Sequence, residues 1–141
     1  MKNKPKCAVI LLVFLLVYFY LTSLGFAIRL IEFYENYFFK EYCSEEYGDK
    51  KEKLIDQNID FYKFTSVVYS QYIGDETVNK DMLINHSRLA VNEYEKGDKE
   101  QYLKFLGFVE KGVKLYFPKK SALEYIQEVK VFDESICSSK K

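Results

Sequence analysis

The chain has 141 residues, enough for one modest hydrophobic core. Its 21 basic and 21 acidic side chains balance, but Lys2, Lys4 and Lys6 are the only charged residues before residue 29, so the remainder is mildly acidic. Nucleic-acid affinity requires neutralisation of phosphates, so we expect no nucleic-acid partner. Six glycines and two prolines are few for a β protein with frequent turns, and the composition therefore predicts an all-α fold.

The first predicted element is an apolar helix over residues 7–28, which contains no charged residue. A helix rises about 1.5 Å per residue, so this stretch would be about 33 Å long and would match the hydrocarbon core of a bilayer. We therefore expect a single-pass transmembrane anchor. The short basic tail, residues 1–6, predicts a cytoplasmic N-terminus and an extracytoplasmic C-terminal domain at a cell (inner) membrane.

A cleaved signal peptide is the alternative interpretation of the same segment. Gly25 and Ala27 are small residues at the −3 and −1 positions of a possible cleavage site, and cleavage near Ala27 would leave a secreted or periplasmic protein. The apolar run is longer than the roughly 7–15 residues of a usual signal core. The sequence therefore favours a retained signal-anchor.

An aromatic-rich joining helix is predicted next, over residues 29–48. Its aromatic side chains could form a belt or a partner-binding surface at the membrane, or could pack along the domain as a fifth core helix. We favour packing, because so many exposed aromatic residues would promote aggregation. The aromatic residues are Phe33, Tyr34, Tyr37, Phe38, Phe39, Tyr42 and Tyr47.

A helical bundle domain is predicted over residues 49–141, and its boundaries are marked by repeated Gly-Asp pairs. Glycine can end a helix in the left-handed conformation, and the following aspartate can cap the next helix. Ser121 with Glu124, just after Pro118, has the pattern of a capping box. Together these signals predict helices over 50–73, 76–96, 99–117 and 121–137; the Gly-Asp pairs are Gly48-Asp49, Gly74-Asp75 and Gly97-Asp98.

Apolar residues recur at helical spacing in each of these segments, most clearly between residues 102 and 116. The connections are very short, which forces consecutive helices to run antiparallel. The sequence therefore predicts an N-terminal transmembrane helix followed by an up-down antiparallel four-helix bundle.

No catalytic or metal-binding motif stands out in the sequence. The only histidine, His86, has Met82, Leu83, Leu89 and Ala90 as its helical neighbours, and a metal site or general base would need polar partners there. A core or boundary histidine is the expected role. We predict no catalytic residues, no cofactor and no metal.

Two cysteines outside the anchor, Cys43 and Cys137, are predicted to form a disulfide in an oxidising compartment. If residue 50 lies near the membrane, four antiparallel crossings return Cys137 to the level of Cys43. The alternative is a pair of free thiols in a reducing compartment.

The expected function is that of a membrane-anchored extracytoplasmic binding or assembly module without catalytic activity. Its partners would be the membrane and a protein that the sequence does not identify. The alternative is an extracytoplasmic domain that senses a small ligand between its helices and acts through a membrane partner, with tyrosines supplying an apolar wall with polar tips.

Overall fold

The computed structural model describes residues 4–139, and all regular structure in this range is α-helical. Of the predicted basic tail, residues 1–3 lie outside the described range and residues 4–6 belong to the first helix. The helices are α1 (Lys4–Leu21), α2 (Leu24–Ser44), α3 (Asp49–Val68), α4 (Asp75–Lys96), α5 (Lys99–Tyr116) and α6 (Ala122–Ser139).

The apolar N-terminal segment is a broken helix rather than the uninterrupted helix predicted over residues 7–28. Within the described residues, no helix taken alone has both the length and the apolar character needed to cross a membrane. Lys6–Leu21 and Leu24–Ser44 meet those criteria only as a pair, with a bend of 58° between them. Membrane insertion of this segment therefore stays a prediction.

Two hydroxyl side chains explain the break. Thr22 Oγ1 donates a hydrogen bond to the carbonyl oxygen of Tyr18 at 2.9 Å. Ser23 has an extended backbone and caps α2, since its Oγ accepts a hydrogen bond from the N–H of Phe26 at 3.2 Å. Such local bonds compete with the regular helical pattern, and here they end one helix and begin the next.

The Gly-Asp pairs mark three boundaries as predicted, although only one pair uses both residues in the predicted way. Gly97 is left-handed, with φ of 84°, and follows the end of α4. Asp98 caps α5 by accepting a hydrogen bond from the N–H of Gln101 at 3.2 Å. Asp49 and Asp75 are instead the first residues of their helices, where a carboxylate still favours the positive end of the helix dipole.

The start of α6 and the end of α3 test two further predicted helix boundaries. The capping box before α6 is confirmed, because Ser121 Oγ accepts from the N–H of Glu124 at 3.1 Å. The predicted helix over 50–73 ends early, at Val68. Tyr69 is buried and its hydroxyl donates to the carbonyl oxygen of Leu21 at 2.8 Å, so the chain turns at this point.

The five helices after α1 form a bundle around α4, which packs against α3, α5 and α6. The predicted four-helix bundle is incomplete because α3 and α6, both within the described range, do not approach each other. The joining helix α2 lies between them and contacts both. The preferred interpretation of its aromatic residues is correct for Phe38 and Tyr42, which are buried, whereas Phe33 and Tyr37 are exposed.

Two hydrophobic clusters make up the core, and Phe105 from α5 packs against both. The first joins α4, α5 and α6 through Leu83, Ala90, Val91, Val109, Val113, Tyr125, Ile126 and Val129. The second joins α2, α3 and α4 through Phe38, Tyr42, Ile55, Ile59 and Leu89.

Residue 50, at the start of α3, lies at the end of the bundle away from α1. The bond from Tyr69 to Leu21 places the end of α3 beside the end of α1, so α3 runs towards α1 and residue 50 lies at the opposite end of the bundle. At that far end, the side chain of Asn92 in α4 holds the turn before α3. Its Oδ1 accepts from the N–H of Gly48 at 2.9 Å, and its Nδ2 donates to the Gly48 carbonyl at 3.1 Å.

Candidate functional site

A buried ion pair lies where α2, α4 and α6 meet. Arg88 in α4 donates to both carboxylate oxygens of Asp133 in α6, from Nε at 2.9 Å and from Nη2 at 3.0 Å. The two residues are only 6% and 4% exposed. The planar guanidinium matches a carboxylate in this two-bond geometry, which fixes the relative position of α4 and α6.

Aromatic side chains from α2 cover the guanidinium. The guanidinium carbon lies 5.1 Å from the ring centre of Phe38, 5.2 Å from that of Phe39 and 5.9 Å from that of Tyr42. Cations in this position are attracted by the negative faces of the rings, and the attraction is stronger where water is excluded. The packing of α2 therefore depends on a charge carried by α4.

Two asparagine side chains extend the polar centre to α3. Asn85 Oδ1 accepts hydrogen bonds from Arg88 Nη1 at 3.0 Å and from Asn58 Nδ2 at 2.9 Å. Asn58 and Asn85 are both buried, and Asn58 Oδ1 accepts no hydrogen bond from the described residues. Burial of an acceptor without a donor destabilises the fold, so a donor group that reached this oxygen would be bound favourably.

Lys51 and Tyr42 form a second cationic contact beside the ion pair. Lys51 Nζ lies 4.0 Å from the ring centre of Tyr42 and 4.4 Å from that of Tyr47. It also donates to the carbonyl oxygen of Glu45 at 3.2 Å. Burial lowers the pKa of Lys51, with the charge of Asp133 opposing this effect. Burial raises the pKa of Tyr42, and Asp133 raises it further.

Clefts open on both sides of Arg88. The first, of about 150 Å³, is bordered by Lys51, Glu134, Cys43 and Cys137. The second, of about 220 Å³, is bordered by Glu35, Asp81 and Asn58, among others. Both are below the roughly 300–1,000 Å³ of typical ligand pockets.

The second cleft is acidic. Burial raises the pKa of Asp81 to about 6, and the charge of Glu35 contributes while Arg88 opposes. Tyr62 donates a hydrogen bond to Glu35 Oε1 at 2.7 Å. Burial, followed by this hydrogen bond, raises the pKa of Tyr62. The cleft therefore combines carboxylates with hydrogen-bond acceptors and suits a small cationic or amine-bearing group.

Cys43 and Cys137 are at disulfide distance, as predicted, with their sulfur atoms 2.06 Å apart and their Cα atoms 5.3 Å apart. They join the end of α2 to the end of α6. Their predicted position near residue 50 is correct, but that level lies at the end of the bundle away from α1. Residue 50 lies at that end because α2 crosses the whole bundle before α3 begins. Cys7, in α1, is exposed and unpaired among the described residues.

His86 lies at the boundary of the core, as the sequence suggested. Its ring is 5.1 Å from the ring centre of Phe108 and 6.3 Å from that of Phe105. Burial lowers the pKa of His86, and Lys63 adds to this effect. Over residues 4–139, no group of three or more histidine, cysteine, aspartate or glutamate side chains is arranged to hold a metal ion.

The polar centre was not predicted from the sequence, because polar residues within helices usually lie on the solvent-facing side. One signal was available on α4. Arg88 is the only charged residue between Asp81 and Glu93, so the sequence places a single cation within an otherwise uncharged stretch. Asp133 in α6 carries no comparable signal, because it lies next to Glu134 in a charge-rich segment.

The chain matches no protein-family model, curated protein or solved structure at a significant level. The functional argument therefore depends on the geometry of the chain itself. That geometry comprises an apolar helix outside the bundle, a buried ionic centre within it and two small clefts.

Proposed function

We propose that this protein is a membrane-tethered, extracytoplasmic helical module that binds a protein partner or holds an assembly together, without catalysing a reaction. One observation supports the proposal that α1 tethers the protein to a membrane. Every large apolar residue from Val9 to Leu21 is at least 42% exposed, so the described residues leave all sides of α1 largely uncovered. A helix that is apolar all round needs a nonpolar environment, and a bilayer supplies one.

The cysteine pair and the charge distribution support the orientation. Disulfides persist in oxidising compartments, so the pairing of Cys43 with Cys137 favours a bundle outside the cytoplasm. Lys2, Lys4 and Lys6 precede the apolar run and favour a cytoplasmic N-terminus by the positive-inside rule. Both arguments agree on the side of the membrane, although they depend on different parts of the chain.

Partner binding is favoured over catalysis by what the bundle exposes and what it buries. The Arg88–Asp133 pair is enclosed and mutually satisfied, which suits a structural role better than a reacting group. Phe33 on α2 is 73% exposed, and Tyr37 lies one turn further along on the same face. Exposed aromatic side chains are characteristic of protein interfaces.

The tether is tested by extracting membranes of cells that express the full chain with alkaline carbonate. We expect the protein to stay with the lipid and a protease added outside sealed cells to digest the bundle. Release by carbonate would refute the tether, and protection from the protease would refute the orientation.

The partner role is tested with a photo-crosslinking amino acid at Phe33, and with the same group at exposed Lys111 on α5 as the matched control. Proximity to a partner predicts a discrete product of higher mass from position 33 and not from position 111. Equal labelling at both positions, or none, would count against a partner on this face.

The second candidate function is sensing of a small cationic ligand, and the acidic cleft favours it. Asp81, Glu35 and Asn58 all belong to the cleft's lining, and Asn58 Oδ1 accepts no hydrogen bond from the described residues. A thermal-shift series with small alkylamines tests this candidate. We expect stabilisation that is lost in Asp81→Asn, and the absence of any stabilising amine would exclude this ligand class.

A further inference from the structure

The chain has two long stretches without charge. One is the apolar segment 7–28, and the other is residues 64–74, with the sequence FTSVVYSQYIG. Outside the first segment, no other uncharged stretch is as long, although 30% of the chain is charged. The second stretch covers the end of α3 and the turn that follows it.

These two stretches meet in the folded protein. The hydroxyl of Tyr69 donates to the carbonyl oxygen of Leu21 at 2.8 Å, and Gln71 Nε2 lies 3.5 Å from the carbonyl oxygen of Thr22. The groove between them is lined from one side by the end of α1 and the break, and from the other by residues of the turn; its lining is Tyr18, Phe19, Thr22, Ser23, Val68, Ser70, Gln71 and Tyr72.

The second stretch presents an apolar face outside the bundle. Phe64 is 54% exposed and Val67 is 77% exposed, and Val68 and Tyr72 are also exposed. Residues 64, 67 and 68 are spaced three and four apart, which places them on one side of α3. The bundle therefore leaves an apolar and aromatic surface uncovered beside the end of α1.

The length of α1 sets the level at which a membrane surface would lie. Its uncharged part, residues 7–21, spans about 22 Å, less than the roughly 30 Å of a hydrocarbon core. A bilayer that holds α1 would thus extend beyond Leu21 and include the level of Tyr69 and its neighbours. Tyrosine is enriched at this depth, where its ring is in an apolar layer and its hydroxyl is near water.

We propose that residues 64–74 form a second membrane contact, in which Phe64, Val67, Val68 and Tyr72 lie in the interfacial layer of the bilayer beside α1. This inference deepens the proposed function and depends on the anchoring of α1. It identifies lipid as the occupant of the uncovered face of α3. Lys63 immediately precedes the face, and its long side chain can reach the phosphate layer while its stem stays among apolar groups.

Two contacts would fix the orientation of the bundle. A single flexible tether allows the bundle to tumble, whereas α1 and the end of α3 together hold that end against the membrane. The Cys43–Cys137 pair and the turn held by Asn92 would then face away from the membrane.

The absence of tryptophan from the chain permits a direct test. Single-tryptophan variants of the full chain, Phe64→Trp and Val67→Trp, are placed in phosphatidylcholine vesicles whose acyl chains carry bromine, a quencher of indole fluorescence. Tyr18→Trp in α1 reports anchoring. Leu103→Trp is the matched control, since Leu103 is 52% exposed near the start of α5, at the opposite end of the bundle.

We expect brominated lipid to quench Tyr18→Trp strongly, and Phe64→Trp and Val67→Trp to lose a comparable share of their fluorescence with blue-shifted emission. Leu103→Trp should be unaffected. Quenching of Tyr18→Trp alone would overturn the second contact and leave the tether intact. If Tyr18→Trp is also unquenched, both the inference and the proposed tether are refuted. Two reporter positions ensure that one poorly folded variant does not decide the result.

Discussion

Arg88 and Asp133, 45 positions apart in sequence, form two parallel hydrogen bonds of 2.9 and 3.0 Å in the interior of the bundle. Removal of one partner leaves a buried charge without compensation, whereas replacement of both by apolar residues removes the cost of dehydrating them. The pair therefore makes the core sensitive to single substitutions and tolerant of a matched double substitution.

Asp133→Ala is expected to lower the free energy of unfolding by about 3–5 kcal/mol, because the guanidinium stays buried without its carboxylate. The double variant Arg88→Met, Asp133→Leu should regain most of that loss. Urea unfolding of the full chain in detergent, followed by circular dichroism, measures both. The control is Glu128→Ala, which breaks the exposed pair with Lys120 and should cost less than about 1 kcal/mol. If Asp133→Ala and Glu128→Ala lowered the free energy of unfolding equally, a special role for the buried pair would be contradicted.

Reduction of the cysteine pair is expected to lower the free energy of unfolding by up to about 4.7 kcal/mol, since the bond closes a loop of 94 positions. Unfolding with and without reductant measures the loss, and the Cys43→Ser, Cys137→Ser variant should not respond to reductant. Mass spectrometry of the non-reduced protein should show one linked peptide that contains both cysteines. Two separately alkylated cysteines in the non-reduced protein would disprove the bond.

Two glycines of α5 should respond to alanine with opposite signs. A Cβ at Gly112 would lie 2.6 Å from Leu83 Cδ1, and Leu83 is buried in the core. Gly112→Ala is therefore expected to destabilise by about 1–3 kcal/mol through overpacking. At Gly107 the described residues place no atom within 4 Å, so Gly107→Ala should stabilise by about 0.5–1 kcal/mol through helix propensity. Stabilisation at both positions would show that the Leu83 side chain moves aside for the added methyl group at little cost and would contradict the prediction.

Asp81 should make stability depend on pH in a defined direction. Burial raises its pKa from 3.8 to about 6 in the folded state, so between these values the folded protein binds more protons than the unfolded one. The contribution of Asp81 to stability is present below about pH 4 and is lost as the pH rises to about 6. Unfolding of wild type and Asp81→Asn from pH 4 to 7 should show the variant gaining relative stability over this window. Asp60→Asn, at an exposed position of α3, is the control for the loss of one negative charge. If its stability changed with pH in the same way as that of Asp81→Asn, the effect could not be assigned to Asp81.

Sequence patterns were sufficient where local chemistry determines the structure. Gly97 and Asp98 end one helix and cap the next for reasons contained within a few residues, and the boundaries there were correct. The break at Ser23 was missed because the strong apolar pattern over 7–28 outweighed the two hydroxyl residues that cap and interrupt the helix. The early end of α3 was missed because Tyr69 bonds to Leu21, which is 48 positions away.

The candidate site was harder to predict because its members are brought together only by tertiary packing. The cysteine pair could be predicted, since antiparallel crossings return Cys137 to the level of Cys43 wherever the membrane lies. The ionic centre could not be predicted from periodicity. Asn58, Asn85 and Asp133 are ordinary polar helix residues in sequence, and their burial follows from the insertion of α2 between α3 and α6.

The central position of α4 also sets an order of assembly during folding. Its most extensive packing is against α5, its neighbour in sequence, whereas α2 joins α6 only after a loop of many residues closes. Short loops close at lower entropic cost, so the α4–α5 hairpin is the expected nucleus and the docking of α2 is a late step. Weakened packing in α2 should therefore accelerate unfolding and leave the refolding rate nearly unchanged, whereas substitutions between α4 and α5 should slow refolding.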